Sequence, residues 1–191
     1  MTKPLFLFVG RSASGKTTVA ELLESRSELK TLQSYTTRQK RFELETGHTF
    51  ISDEEFNSLK DIIAFTEYNG YRYCATKSQI DEADIYVVDI PGVKTLLEKY
   101  HNERPIVVVY FDTSIRTRID RMINRNDPDV AIISRLYNDE EFNWENELKK
   151  LVWNAKNNEG KNVNIHVVDA NRDMDNVLLQ TWTFMNSYLE V

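Results

Sequence analysis

The stretch Gly10-Arg11-Ser12-Ala13-Ser14-Gly15-Lys16-Thr17 decides how the rest of the chain is read. It follows the apolar run Leu5-Phe6-Leu7-Phe8-Val9 and precedes the amphipathic segment Thr18-Val19-Ala20-Glu21-Leu22-Leu23-Glu24. Strand, glycine-bracketed loop and helix in that order match the phosphate-loop pattern G-x-x-x-x-G-K-[ST]. The chain holds only 6 glycines, and two of them stand here at the demanded spacing, so chance is a poor explanation. Glycine lets the backbone turn tightly and approach an anion with no Cβ between them. Gly10, Ser12, Ala13, Ser14, Gly15, Lys16, Thr17 and Thr18 form the candidate cradle. Their backbone N–H groups and the positive end of the following helix would hold phosphate oxygens. Lys16 would reach the β- and γ-phosphates of a nucleoside triphosphate such as ATP, and the Thr17 hydroxyl would ligate Mg²⁺. The loop alone does not say what accepts the phosphate.

Composition narrows the remaining possibilities. A length of 191 residues suggests one domain, and 41% hydrophobic residues suffice for a buried core. The formal net charge of −6 argues against broad nucleic-acid or anionic-membrane binding, but not against a small phosphorylated ligand. The single cysteine, Cys74, excludes an intrachain disulfide and a cysteine-built metal site. Pro4 to Val9 is too short for a signal peptide and no run is long enough for a membrane span, so a cytoplasmic location is the default.

Further apolar runs at Ile85–Asp89, Ile106–Phe111 and Val163–Val168 alternate with helical patterns, which predicts a parallel sheet wrapped by helices. The expectation is an α/β three-layer P-loop fold in a single domain. Its core comprises residues 1–30, 85–112 and 146–191. An inserted, mostly antiparallel unit spans 31–84, and a helical lid spans 113–145. Within the insert, Ser52-Asp53-Glu54-Glu55 reads as a capping box, so one short helix begins at Asp53. Tyr68-Asn69-Gly70-Tyr71 reads as a tight hairpin turn. Pro128 breaks the lid, and a last helix over about 173–189 packs back on the sheet.

The insert carries a basic cluster, Arg38-Gln39-Lys40-Arg41, and guanidinium groups bind phosphate in bidentate fashion. Alone it would read as a solvated turn; its surroundings change that. The run Ser34-x-Thr36-Thr37-Arg38-x-x-Arg41, then Gly47-His48-Thr49-Phe50 and the acidic helix start, resembles the acceptor-binding segment of guanylate kinases. The likeness continues through Gly70-Tyr71-Arg72-Tyr73 and Val88-Asp89-Ile90. It reaches the lid at Arg121-Met122-x-x-Arg125 and Ile132-x-x-Arg135-Leu136. Departures are Lys40 for a proline, His48 for a tyrosine in a shortened loop, Cys74-Ala75 after Tyr73, and Pro91 for a second acid. They fall mostly on the base side of the acceptor site.

The resemblance implies a nucleoside monophosphate kinase that moves the γ-phosphoryl group of ATP to GMP or dGMP, with Mg²⁺. It implies an acceptor site of Ser34, Arg38, Arg41, His48, Glu67, Tyr73, Thr76 and Asp89. Ser34 and Glu67 would face the base; Arg38, Arg41 and Tyr73 would face the phosphate. Asp89 would hold a Mg²⁺-bound water or touch the acceptor. Lys16, Arg38, Arg121, Arg125 and Arg135 are the expected catalytic side chains. Arg121 and Arg125 are four apart, on one helix face, where a closing lid would bring them to the transferring group. Arg116, Arg118, His101 and His166 read as structural or solvated, Cys74 as a packed thiol, and Trp144, Trp153 and Trp182 as packing residues. The partner is a small nucleotide, with no nucleic acid or membrane, and the protein a monomer or homodimer. Two alternatives stand: a kinase for another (deoxy)nucleoside monophosphate, and a non-catalytic guanylate-kinase-like protein-binding module. The intact loop weighs against the module.

Overall fold

Strand β1 (Leu5–Val9) has all five side chains buried, and they divide between two cores. Leu5, Leu7 and Val9 join one cluster; Phe6 and Phe8 join the other. Alternation along a strand sends successive side chains to opposite faces, so a run apolar throughout must be covered on both. The computed structural model describes residues 3–40, 43, 45–68, 70–101, 104–140, 143–157 and 160–189. In it β1 is flanked by β6 (Ile85–Val87) and β7 (Ile106–Asp112), with β8 (Val163–Asp169) beyond β7. All three pairings are parallel, with Leu7 opposite Tyr86 and Val108.

Helices α1 (Lys16–Arg26) and α8 (Met174–Leu189) cover the Phe6/Phe8 face through Val19, Leu23, Val177 and Met185. Helices α4 (Ile90–Lys99) and α7 (Trp144–Asn157) cover the other through Val93, Leu96, Leu148 and Val152. This is the expected three-layer α/β sandwich. Each fully buried Leu, Val or Phe contributes roughly 1.5–3 kcal/mol. The phosphate loop, Asp89 and Asp112 all lie at carboxyl ends of the strands, where open parallel sheets bind ligands.

The insert forms a second sheet in the order β3-β2-β5-β4: β3 (His48–Phe50), β2 (Ser34–Thr36), β5 (Tyr71–Thr76) and β4 (Ile62–Tyr68). β2 and β5 pair antiparallel, as do β4 and β5, while β2 and β3 run parallel. The capping box is present: Glu55 N–H donates to Ser52 Oγ, and Ser52 N–H to Glu55 Oε2, at the start of α2 (Asp53–Ser58). Gly70 stands at the hairpin turn with φ +75°, and Asn69 lies outside the described residues. One element differs from the sequence reading. A second short helix, α3 (Lys77–Glu82), follows β5, because Thr76 and Gln79 build a second capping box without a serine–glutamate signature. The lid consists of α5 (Ile115–Asn124) and α6 (Asp129–Glu140), separated at Pro128, whose carbonyl accepts from Ala131 and Ile132 N–H. No helix among the described residues is long and apolar enough to cross a membrane.

Candidate active site

The loop between β1 and α1 has the conformation its glycines permit. Gly15, with φ +96°, occupies the left-handed region as N-cap of α1. A Cβ on Gly10 would lie 2.8 Å from the Phe111 carbonyl oxygen and 2.9 Å from Ser14 Oγ, so only glycine lets the loop nest against β7. Lys16 Nζ donates to the carbonyls of Gly10 at 2.6 Å and Arg11 at 2.9 Å, and to Ser14 Oγ at 3.2 Å. The ammonium is thus inside the loop it belongs to. Burial brings its pKa down to about 8, against the upward pull of Asp139 and Asp89.

Two cavities flank this lysine. One, about 260 Å³, is lined by the phosphate loop from Ala13 to Thr18 with Arg121, Arg125 and Met174. The other, about 360 Å³, opens toward the inserted sheet and includes Gly10, Ser12, Ser34, His48, Glu67, Tyr73 and Asp89. Lys16 lines both. The arrangement places one ammonium between two spaces, each rimmed by groups that suit a phosphorylated ligand.

On the acceptor side, register determines which side chains face the cavity. Ser34 pairs with His48, and Ser34 Oγ lies 2.8 Å from His48 Nδ1. Tyr73 sits edge-on to His48, with centroids 5.5 Å apart, and lies opposite both Thr36 and Thr66. Thr66 therefore shares the cavity-facing row, and its hydroxyl hydrogen-bonds Asp89. Glu67, one residue on, alternates to the opposite row; it is exposed and also lines the cavity, with Arg72 across from it. Arg72 belongs to that outer face, over Phe56 at 4.3 Å and bonded to Asn57 and Asp53 of α2. Asp89 caps α4 by accepting Gly92 N–H at 2.9 Å. Burial raises its pKa, opposed by the bonds from Gly92 and Thr66 and by the Lys16 charge.

Two expected acceptor residues have other commitments. Arg38 directs its fork at Glu45, with NH2 at 2.8 Å from Oε1 and NH1 at 3.1 Å from Oε2, and lies 5.2 Å from the Phe50 ring centroid. It does not line the cavity, although Tyr73 lies within its hydrogen-bonding reach. Thr76 caps α3 and is not among the residues that line the cavity. Arg41 lies outside the described residues.

The lid arginines separate by partner. Arg121 donates to the carbonyls of Ala13, Ser14 and Ala170, tying α5 to the outer wall of the phosphate loop. Arg125 and Arg135 converge on Asp127: Arg125 Nε lies 2.8 Å from Oδ1, and Arg135 bonds Oδ2. Arg125 also lines the smaller cavity. Arg118, read as structural, is among the described residues the arginine nearest full burial, at 1% exposed, and pairs at 2.6 Å with Asp139. Asp139, Thr66 and Trp144 in the cavity wall were missed. Nothing local marks them, since each is brought in by an element distant in sequence. Trp153 is 61% exposed and so does not pack as expected; Trp182 is half-buried and His166 stacks on Phe184. Cys74 is buried, and burial pushes its thiol up to about 11.

Over 141 residues, covering 68% of this chain, the sequence is 29% identical to a guanylate kinase of Bartonella henselae. The chain spans 63% of that relative's length. The crystal structure of guanylate kinase from Anaplasma phagocytophilum matches 98% of this chain and 87% of its own, with TM-score 0.50 and 15% identity. In sequence the chain is thus similar to a guanylate kinase. No protein-family model matches it. The solved guanylate kinase shares the α/β fold described above, with its parallel sheet between helical layers.

Proposed function

We propose that the protein is a nucleoside monophosphate kinase that transfers the γ-phosphoryl group of ATP to a purine monophosphate, GMP or dGMP by resemblance. The observation that carries this reading is Lys16 standing in the walls of two adjoining cavities. One cavity is bounded by phosphate-loop amides and suits a triphosphate. The other, with Ser34, His48, Tyr73 and Asp89, suits a nucleotide acceptor. Phosphoryl transfer needs in-line positioning and charge neutralisation more than covalent chemistry, and an ammonium shared by both cavities supplies each. To do so, Lys16 Nζ exchanges the Gly10 and Arg11 carbonyls for phosphate oxygens. The residues also fit Mg²⁺: Thr17 is exposed in the wall of the triphosphate cavity, and its hydroxyl would hold the ion, which when bound would neutralise phosphate charge. Arg125 is positioned to meet the triphosphate; Arg135 approaches through the shared Asp127.

Selection of the base is where a second reading has support. Thr66 lines the cavity beside Glu67, and Ser34 already bonds His48. A different (deoxy)nucleoside monophosphate is therefore the alternative acceptor. Turnover measured with ATP across a panel of monophosphates separates the two: GMP or dGMP should lead, and another acceptor leading would replace guanine in this proposal. Turnover on none of them would remove the kinase reading.

A further inference from the structure

Arg118 of α5 and Asp139 of α6 are the deepest charged pair among the described residues, 1% and 4% exposed, and neither has a place in the chemistry above. The Asp139 carboxylate does more than neutralise Arg118. Its Oδ2 accepts the backbone N–H of Ser12 at 3.0 Å while holding Arg118 NH1 at 2.6 Å. Ser12 is the third residue of the phosphate loop, and its neighbours Gly10 and Arg11 supply the carbonyls that hold Lys16. Asp139 also lines the acceptor cavity beside Lys16. One oxygen thus ties both lid helices to the loop that positions the lysine.

We propose that the Arg118–Asp139 pair is a latch that positions the phosphate loop and Lys16, with Asp139 as its positioning residue. Packing alone would not need it. A buried ion pair of this kind can generally be replaced by apolar groups of similar volume with little loss of stability. An apolar pair would leave Ser12 N–H without its acceptor and remove the carboxylate facing the lysine. The inference rests on the phosphate-loop reading of residues 10–17, and it deepens the account of that site.

Three proteins test this: the wild type, D139N, and the double variant R118M/D139A. Exchange of the Ser12 amide hydrogen is followed in each by NMR without ligand, and ADP affinity and melting are measured by calorimetry. The latch predicts faster Ser12 exchange and about tenfold weaker ADP binding in the double variant, with melting close to wild type, and smaller changes of the same direction in D139N, whose neutral amide oxygen is the weaker acceptor. Unchanged Ser12 exchange with unchanged affinity would make the pair merely structural, and tighter ADP binding would make Asp139 an obstruction; either overturns the latch. Should the double variant not fold, D139N alone decides by the same two readouts. Absence of ADP binding in the wild type would count against the kinase reading, while ligand-free Ser12 exchange would still judge the latch.

Discussion

The phosphate loop and the inserted sheet face each other across Lys16, yet they are built on different principles. The loop works through its backbone: left-handed glycine at Gly15, a closest approach at Gly10 that excludes any Cβ, and amides aimed by the start of α1. The inserted sheet works through side chains chosen by register: Ser34 beside His48, and Thr66 beside Tyr73. A site made of backbone is local in sequence and tolerates little change. One made of cross-strand side chains is non-local, and its selectivity can shift without the fold shifting.

The largest expected effect is on the loop side. Lys16→Met should lower kcat by about 10²–10³-fold, roughly 3–4 kcal/mol of transition-state stabilisation, with melting nearly unchanged. Turnover near wild type would remove Lys16 from the mechanism. Next comes the Arg38–Glu45 pair, whose side chains are 10% and 8% exposed. Arg38→Met should destabilise the protein by roughly 3–5 kcal/mol in denaturant titrations, because the buried Glu45 carboxylate loses the two hydrogen bonds of the Arg38 fork. The double variant R38M/E45L should recover most of that stability. If Arg38 also serves the acceptor, the double variant keeps a raised acceptor KM with ATP parameters unchanged; a normal KM would make the pair purely structural.

Gly10→Ala should cost about 1–3 kcal/mol, since the Phe111 carbonyl and Ser14 hydroxyl must both move, and it should weaken ADP binding in the same titration. The smallest effect falls on the acceptor side. Thr66→Val should change the ratio of kcat/KM among monophosphates by up to roughly tenfold, about the worth of one hydrogen bond, and leave ADP affinity alone. An altered ADP affinity would show that the two regions are not separable.

The two regions also differ in what the sequence discloses. The three-layer core follows from runs apolar on both faces, and the loop from spacing alone. The α2 cap at Ser52 and Glu55 was equally plain. Thr66, beside Glu67 in the cavity wall, could not be read, because its place depends on the pairing of β4 with Tyr73. Arg38's partner Glu45 and Arg118's partner Asp139 could not be read, since no spacing rule links them. Family resemblance named Arg38 but not the partner this chain gives it.

Lys16 gives the comparison a pH signature with opposite signs. Its folded pKa near 8 lies below the unfolded 10.5, so between those values the unfolded chain binds more protons. Stability therefore gains a rising contribution from pH 8 to 10.5, while affinity for phosphate falls as the ammonium is lost. Lys16→Met should remove the Lys16 contribution to both slopes, as read by denaturant titration and calorimetry across that range.

The central claim is that one ammonium serves two adjoining anion sites. Its most direct test is a single molecule carrying adenosine and guanosine joined 5′ to 5′ through a polyphosphate bridge, titrated by calorimetry against ADP and GMP. Linking two ligands that bind adjoining sites makes the second contact intramolecular, so the bridged compound should bind at least 10²-fold more tightly than ADP, on the order expected for bivalency. Most of that advantage should vanish in Lys16→Met. Binding no tighter than ADP, in a protein that binds ADP and GMP separately, would contradict the account.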